Sequence, residues 1–190
     1  KLASLIQKDV SLAYRLLKYI NSLHFGMKNP IKTIEQALTL LGRNKTMHWL
    51  RIVLLADMHS SKKQGEILFL SVLRARFLET LAAKAASAKA YNPDTYFLLG
   101  LFSLLDVLLG ISMEDIVAQL PLAEELKDAL LGKPNRMYTW LEMVRSLERA
   151  EWDRAYKHLK SLDVDEKLAA SLYSKAYAWS EGMLSFSMEQ

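Results

Sequence analysis

Residues 2–20 read LASLIQKDVSLAYRLLKYI. Leu2, Leu5, Ile6, Val10, Ala13, Leu16, Leu17 and Ile20 recur at steps of three and four, which puts them on one stripe of an α-helix. The stripe predicts an amphipathic helix that stops near Asn21-Ser22, before Phe25-Gly26. Working outward, Asn29-Pro30 predicts the next start, because an asparagine side chain satisfies free N–H groups and proline fits the first helical turn. Ile31, Ile34, Leu38 and Leu41 then share a face as far as Gly42, a natural stop. A third helix runs through Trp49 to about Met58, with Leu50, Val53 and Leu54 toward the core.

The same period continues to the end of the chain. Helices are predicted over 66–86 and 92–109, the second opening on Asn92-Pro93-Asp94. Ser112-x-x-Asp115 reads as a capping box for a short helix before Pro121. Another covers 122–131, closed by Gly132 and Pro134, and three more cover 136–149, 151–161 and 165–183. No stretch shows sustained strand alternation. The fold class is all-α, a compact orthogonal bundle of about nine or ten helices with short connections. Residues 149–179, with Trp, Tyr and small residues interleaved on two helices, resemble one tetratricopeptide unit. No second unit follows at a fixed period, so 134–190 reads as a helical appendage packed on a core of 1–133.

Composition excludes several classes. The chain has 190 residues, 51% hydrophobic and 24% charged, with seven Gly, four Pro and no Cys. A chain of this length buries about 70% of its surface, enough for a core without staples. Without cysteine there is no disulfide frame, thiolate metal site or thiol nucleophile. The longest apolar run, Tyr96 to Leu105, is about half of the roughly 20 residues a membrane span needs, so no membrane segment is expected and the cytoplasm is the expected compartment. The start at Lys1-Leu2-Ala3, without Met, reads as a C-terminal fragment of a longer protein. Charge is uneven: residues 1–63 carry eleven Lys/Arg against Asp9, Glu35 and Asp57, a balance of +8, and the remainder carries −4. Either the two parts attract each other within one fold, or a basic face meets an acidic partner. The bases lack the interleaved aromatics of a nucleic-acid platform, so a protein partner ranks first.

Catalytic constellations are absent from the sequence. The four histidines, His24, His48, His59 and His158, have no second ligand at a metal spacing. Asp57 and His59 come nearest, but residues two apart on a helix diverge. No phosphate loop, nucleophile elbow or His-Glu-x-x-His occurs. Glu124-Glu125 and Asp163-x-Asp165-Glu166 sit at helix starts, where the helix dipole favours acids. The Met and Trp residues read as core. Asp106 resists this account, since it interrupts YFLLGLFSLLDVLLGI and a buried carboxylate needs a partner.

These residues carry a family resemblance. QKDVSLAYRLLKYINSLHFG followed by IKTIEQALTLLG resembles the start of HDOD domains, signalling relatives of the HD-superfamily metal phosphohydrolases. The matching positions are Asp9, Leu12, Arg15, Leu16, Asn21-Ser22, Phe25-Gly26, Ile31, Ile34, Ala37, Leu41 and Gly42. LSVLRARFLETLA and FLLGLFSLLDVLLG extend the likeness to about residue 133 and are similar to the variant that follows an EAL domain in proteins related to cyclic-di-GMP phosphodiesterases.

The resemblance implies a bundle of the HD-domain and phosphodiesterase-like type, and it implies where an HD enzyme's ligands would fall. The first histidine falls near Leu70, the His-Asp dyad on Ser103-Leu104, and a later histidine pair near Gly132-Lys133. Leucine has no donor atom and a lone serine is a poor ligand, so no metal, cofactor or catalytic residue is expected. Arg74 lies one turn beyond Leu70 on the same helix face; either an Arg74–Asp106 ion pair partly occupies the vacated pocket, or Asp106 faces solvent or another domain. The implied function is a non-catalytic signalling domain that acts through protein contacts, with an EAL-type domain in cis or another signalling protein as partner; oligomer formation is compatible with this. The candidate contact residues are Arg15, Lys18, Asn21, Ser22, Lys28, Arg43, Lys45 and Arg51, with Asn21-Ser22 alternatively only capping and turning the chain. Two alternatives remain at this stage: a nucleotide or cyclic-dinucleotide sensor built on the vacated pocket, and a residual metal-dependent phosphohydrolase.

Overall fold

A computed structural model describes residues 2–21, 31–57, 62–88 and 90–188. Among them eleven α-helices and no strand occur: α1 (Leu2–Lys8), α2 (Val10–Ile20), α3 (Ile34–Asp57), α4 (Lys62–Ala82), α5 (Pro93–Phe102), α6 (Leu105–Leu109), α7 (Met113–Gln119), α8 (Glu124–Leu130), α9 (Arg136–Glu148), α10 (Trp152–Ser161) and α11 (Glu166–Met188). The all-α class is as the periodicity predicts. No helix among the described residues is long and apolar enough to cross a membrane.

The helix boundaries follow local chemistry. Asn92 caps α5 by accepting from the Asp94 N–H, with Pro93 in the first turn. Ser112 Oγ accepts from the Asp115 N–H at 3.1 Å, the N-cap half of the predicted capping box, and donates to the Asp115 carboxylate at 2.7 Å. Gly132, at φ 77°, ends the turn after α8.

The division of the chain into helices differs from the sequence expectation at three points. The first stripe is two helices, because Asp9 turns extended and its carboxylate caps α2 by accepting from the Leu12 N–H at 3.0 Å. The break rotates the stripe, so Leu5 and Val10 are exposed rather than buried. Gly42 does not separate two elements; α3 runs on through a kink where Gly42 takes φ 72°, a conformation that favours glycine. The predicted helix 92–109 breaks at Ser103-Leu104 into α5 and α6. The start predicted at Asn29-Pro30 lies outside the described residues.

By packing, the chain falls into two units: residues 1–58 with 181–190, and residues 59–180. In the first, α1, α2 and α3 pack on one another. Ile6, Leu16, Ile20, Trp49, Ile52 and Val53 are fully buried there, each side chain worth about 1.5–3 kcal/mol of apolar transfer. On α3 the buried face is Trp49, Ile52, Val53 and Ala56; Leu54, expected inside, is exposed.

The second unit holds a continuous core through Phe77, Leu81, Tyr96, Leu99, Trp140 and Val144. Tyr96 and Trp140 pack ring against ring at 5.0 Å. Residues of α9, α10 and α11 up to Ser180 belong to this same unit. Its most intimate contact is α4 on α5, which meet backbone to backbone. A Cβ on Gly100 would lie 2.3–2.5 Å from the backbone of Arg74 and Ala75.

Candidate functional site

The α4–α5 contact sets the site. It brings the C-terminal end of α5 beside Arg74, a buried residue in the middle of α4. The Arg74 guanidinium donates through Nη1 to Ser103 Oγ at 2.9 Å. Through Nε it donates to both oxygens of Glu148, at 2.9 and 3.1 Å, and through Nη2 to Glu148 Oε2 at 2.6 Å. Ser103 Oγ in turn donates to the Gly100 carbonyl at 2.7 Å. Both charged side chains are largely withdrawn from water, at 6% and 11% exposure. A forked guanidinium matches a carboxylate in two bonds at once, which fixes orientation as well as charge.

The pair corrects one expectation. Arg74 does meet a carboxylate beside Ser103, but that carboxylate belongs to Glu148 at the end of α9, not to Asp106. Because the helix breaks after Ser103, Asp106 lies in the first turn of a separate helix, α6, and is half-exposed. An acid there complements the helix N-terminus, so it needs no buried cation.

The remaining positions implied for metal ligands do not assemble a donor set. Leu70 is half-buried and packs on the core. Leu104 is the half-buried hinge between α5 and α6. Ser103 offers one hydroxyl, already spent on the Gly100 carbonyl and the guanidinium. A divalent cation needs several oxygen or nitrogen donors and tolerates no fixed positive charge among them. These residues therefore do not fit a metal ion.

The pair also acts electrostatically on a neighbouring aromatic. Burial, reinforced by the Glu148 carboxylate, raises the Tyr173 phenol above its ordinary value of 10.0, while Arg74 pulls the other way. The Tyr173 ring packs edge-on against Phe77 at 5.2 Å.

The candidate contact residues of the first unit fare differently from one another. Arg15 is not a free surface cation. Its side chain is mostly buried and grips Asp57 in a fork, with Nη1 and Nη2 at 2.6 and 3.0 Å. Lys18 lies over the Tyr14 ring at 5.9 Å. Arg43 and Lys45 are exposed, and Arg51 is half-buried. Ser22, Lys28 and His59 lie outside the described residues.

Asn21 has the structural role. Its Nδ2 donates to the Leu17 and Ile31 carbonyls at 2.8 Å each, and its Oδ1 accepts from the Ile31 N–H at 2.6 Å. One side chain thus ties the end of α2 to the chain ten residues on. Asn21→Ala is expected to cost about 1–2 kcal/mol, the net worth of a few exposed hydrogen bonds. A urea midpoint series reads this directly, and a loss below about 0.5 kcal/mol would contradict the clamp.

Comparison with known proteins identifies the family. The HDOD domain family model matches residues 1–125. The chain is 38% identical over 183 residues to the uncharacterized protein YuxH of Bacillus subtilis (strain 168), covering 94% of this chain and 43% of that protein. It is 33% identical over 177 residues to the cyclic di-GMP phosphodiesterase CdgJ of Vibrio cholerae serotype O1, covering 93% of this chain and 40% of that protein. The chain therefore spans about two-fifths of the length of these curated relatives. No solved structure matches it. On the extent of the family match, which covers well over half of its residues, the chain belongs to the HDOD domain family.

Proposed function

We propose that this chain is a non-catalytic regulatory domain of cyclic-di-GMP-related signalling, in which the metal site of the HD hydrolases has been lost. The observation that carries the reading is the Arg74–Glu148–Ser103 cluster. A permanent guanidinium charge stands beside the position implied for the His-Asp dyad, and each of its three nitrogens donates to Glu148 or Ser103. Arginine does not deprotonate at any physiological pH, so it cannot yield that place to an ion. The cluster holds α4, α5 and α9 in fixed relation, which is a structural task. The name of the Vibrio cholerae relative supports the signalling context. An EAL-type domain in cis is the proposed partner, on the sequence resemblance. The sensor alternative is weakened, because the cation that would meet a phosphate in this pocket is already paired.

Two measurements on the purified chain test this. Elemental analysis is expected to give far less than one divalent metal per chain, and incubation with bis-p-nitrophenyl phosphate or cyclic-di-GMP is expected to give no hydrolysis. Stoichiometric metal together with turnover abolished by chelation would overturn the reading. Heat on titration with cyclic-di-GMP would favour the sensor instead.

A further inference from the structure

α10 packs along α9, and a four-residue connection, 162–165, leads from it into α11. Between α10 and α11 lies an open cleft of about 590 Å³. Its lining includes Leu147, Ala155, Leu159 and Ala169, and beside them stand Trp152 and Tyr156 of α10. These two aromatics are 66% and 51% exposed. The cleft lies beyond residue 125, where the family match ends, and inside the stretch aligned with both relatives.

We propose that this cleft is a docking groove for one basic amphipathic helix of a protein partner. The inference rests on the reading of the domain as a protein-contact module and names the surface it uses. Tryptophan was expected in the core, as Trp49 and Trp140 are. A tryptophan and a tyrosine one turn apart, both largely in water above an apolar floor, form a contiguous exposed patch of the kind that marks an interaction site. These residue types anchor interfaces because they bring large apolar area at little entropic cost. Alanines at 155, 169 and 170 lower the floor, so another helix can approach closely, as in helix-in-groove recognition.

Charge selects the occupant. The charged side chains lining the groove are Asp153 and Glu166, one on each helix and both acidic. The recess that adjoins it adds Asp163 and Asp165 against one Lys160. An apolar stripe flanked by Lys or Arg complements that lining, and an acidic helix is repelled by it. The groove also rests on the buried cluster: Leu147 precedes Glu148 in the chain, and the lining residue Tyr173 lies in the field of the Arg74–Glu148 pair.

The test uses the whole chain and a fluorescein-labelled peptide of about five helical turns, with Leu at i, i+3, i+4 and i+7 and Lys flanking. One twin carries Glu for Lys, and another carries Ser for Leu. Anisotropy titration is expected to show saturable binding of the basic peptide, about tenfold or more tighter than either twin. Trp152→Ala and Ala170→Arg are each expected to weaken it by about tenfold, the scale of one anchor. Both positions are exposed, so unchanged circular dichroism and melting are expected. Asp153→Lys with Glu166→Lys is expected to reverse the preference between the basic and acidic peptides, and Val107→Ala on α6 to leave binding unchanged. Equal binding of the charge twins, or variants that bind like the parent, overturns the proposal. So does occupation of the cleft by the small apolar dye bis-ANS without any peptide binding, which would make it a small-molecule pocket. Turnover of a phosphoester beside intact peptide binding removes the functional reading and leaves the groove; failure of peptide binding without turnover removes the groove alone.

Discussion

Replacing Arg74 with methionine is expected to destabilise the domain by about 3 kcal/mol, the lower end of the range for breaking a buried ion pair by removing one partner. The lower end applies because Glu148 retains slight contact with water. The loss is not mainly the Coulomb term. Methionine fills much of the same volume, but it leaves the Glu148 carboxylate with no donor in a poorly hydrated place. Removing both charges together, as in Arg74→Met with Glu148→Leu, is expected to restore most of the stability, since a well-packed apolar pair of similar volume often equals a buried ion pair. Arg74→Lys is expected to fall between, because an ammonium cannot reproduce the forked contact with Glu148 and also reach Ser103. Urea unfolding of the parent, Arg74→Met, Glu148→Leu and the double variant gives the coupling energy as a double-mutant cycle. A single-variant loss below about 1 kcal/mol would mean the pair is effectively solvated, and the argument for a cluster that fills the pocket would fail with it.

Gly100→Ala is expected to destabilise by a similar amount, about 3 kcal/mol, and Gly100→Val by more. Two effects oppose each other. Alanine in place of a helical glycine gains at most about 1 kcal/mol of helix propensity, and Gly100 stands in the last turn of α5. Against that, the new Cβ would lie 2.3–2.5 Å from the N and Cα of Ala75 and the carbonyl carbon of Arg74. Those atoms are α4 backbone, so no side-chain rotation relieves the clash and the helices must separate. Overpacking costs about 1–3 kcal/mol where side chains can shift, and more is expected where they cannot. The same separation would draw Ser103 from Arg74, so the two sites should couple. Thermal melting reads the effect at about 2–4 °C per kcal/mol for a chain of this size. An alanine variant as stable as the parent would show that the two backbones do not meet this closely.

The parts of the fold governed by nearby residues were legible in the sequence. Asn92-Pro93 and Ser112-x-x-Asp115 act within four residues, and the structure has the caps they predict. Asp9 carried the same kind of signal but was absorbed into a stripe that runs past it. The break at Ser103-Leu104 had no local mark, because neither Gly nor Pro stands there. Ser103 ends α5 with a hydroxyl that takes its own Gly100 carbonyl and the guanidinium of another helix, and only the second of these is a tertiary contact. Half of the buried pair could be read from the chain. Arg74 is one helical turn from Leu70, a local relation, but Glu148 is 74 residues away and its neighbourhood, SLERAEW, looks like a solvated helix end. Asp106 drew notice because it interrupts an apolar run, yet the break before it turns it aside. Trp152 was read as core from its spacing alone, and spacing cannot say that no element covers it.

The meeting of α4 and α5 at Gly100 has a consequence for motion. Most packed helices touch through side chains, which can hop between rotamers and let one helix shear a little past the other. Here there is no such compliant layer at the crossing point. The two helices are geared to each other, and any rearrangement that reaches one must swing both as a single rigid lever.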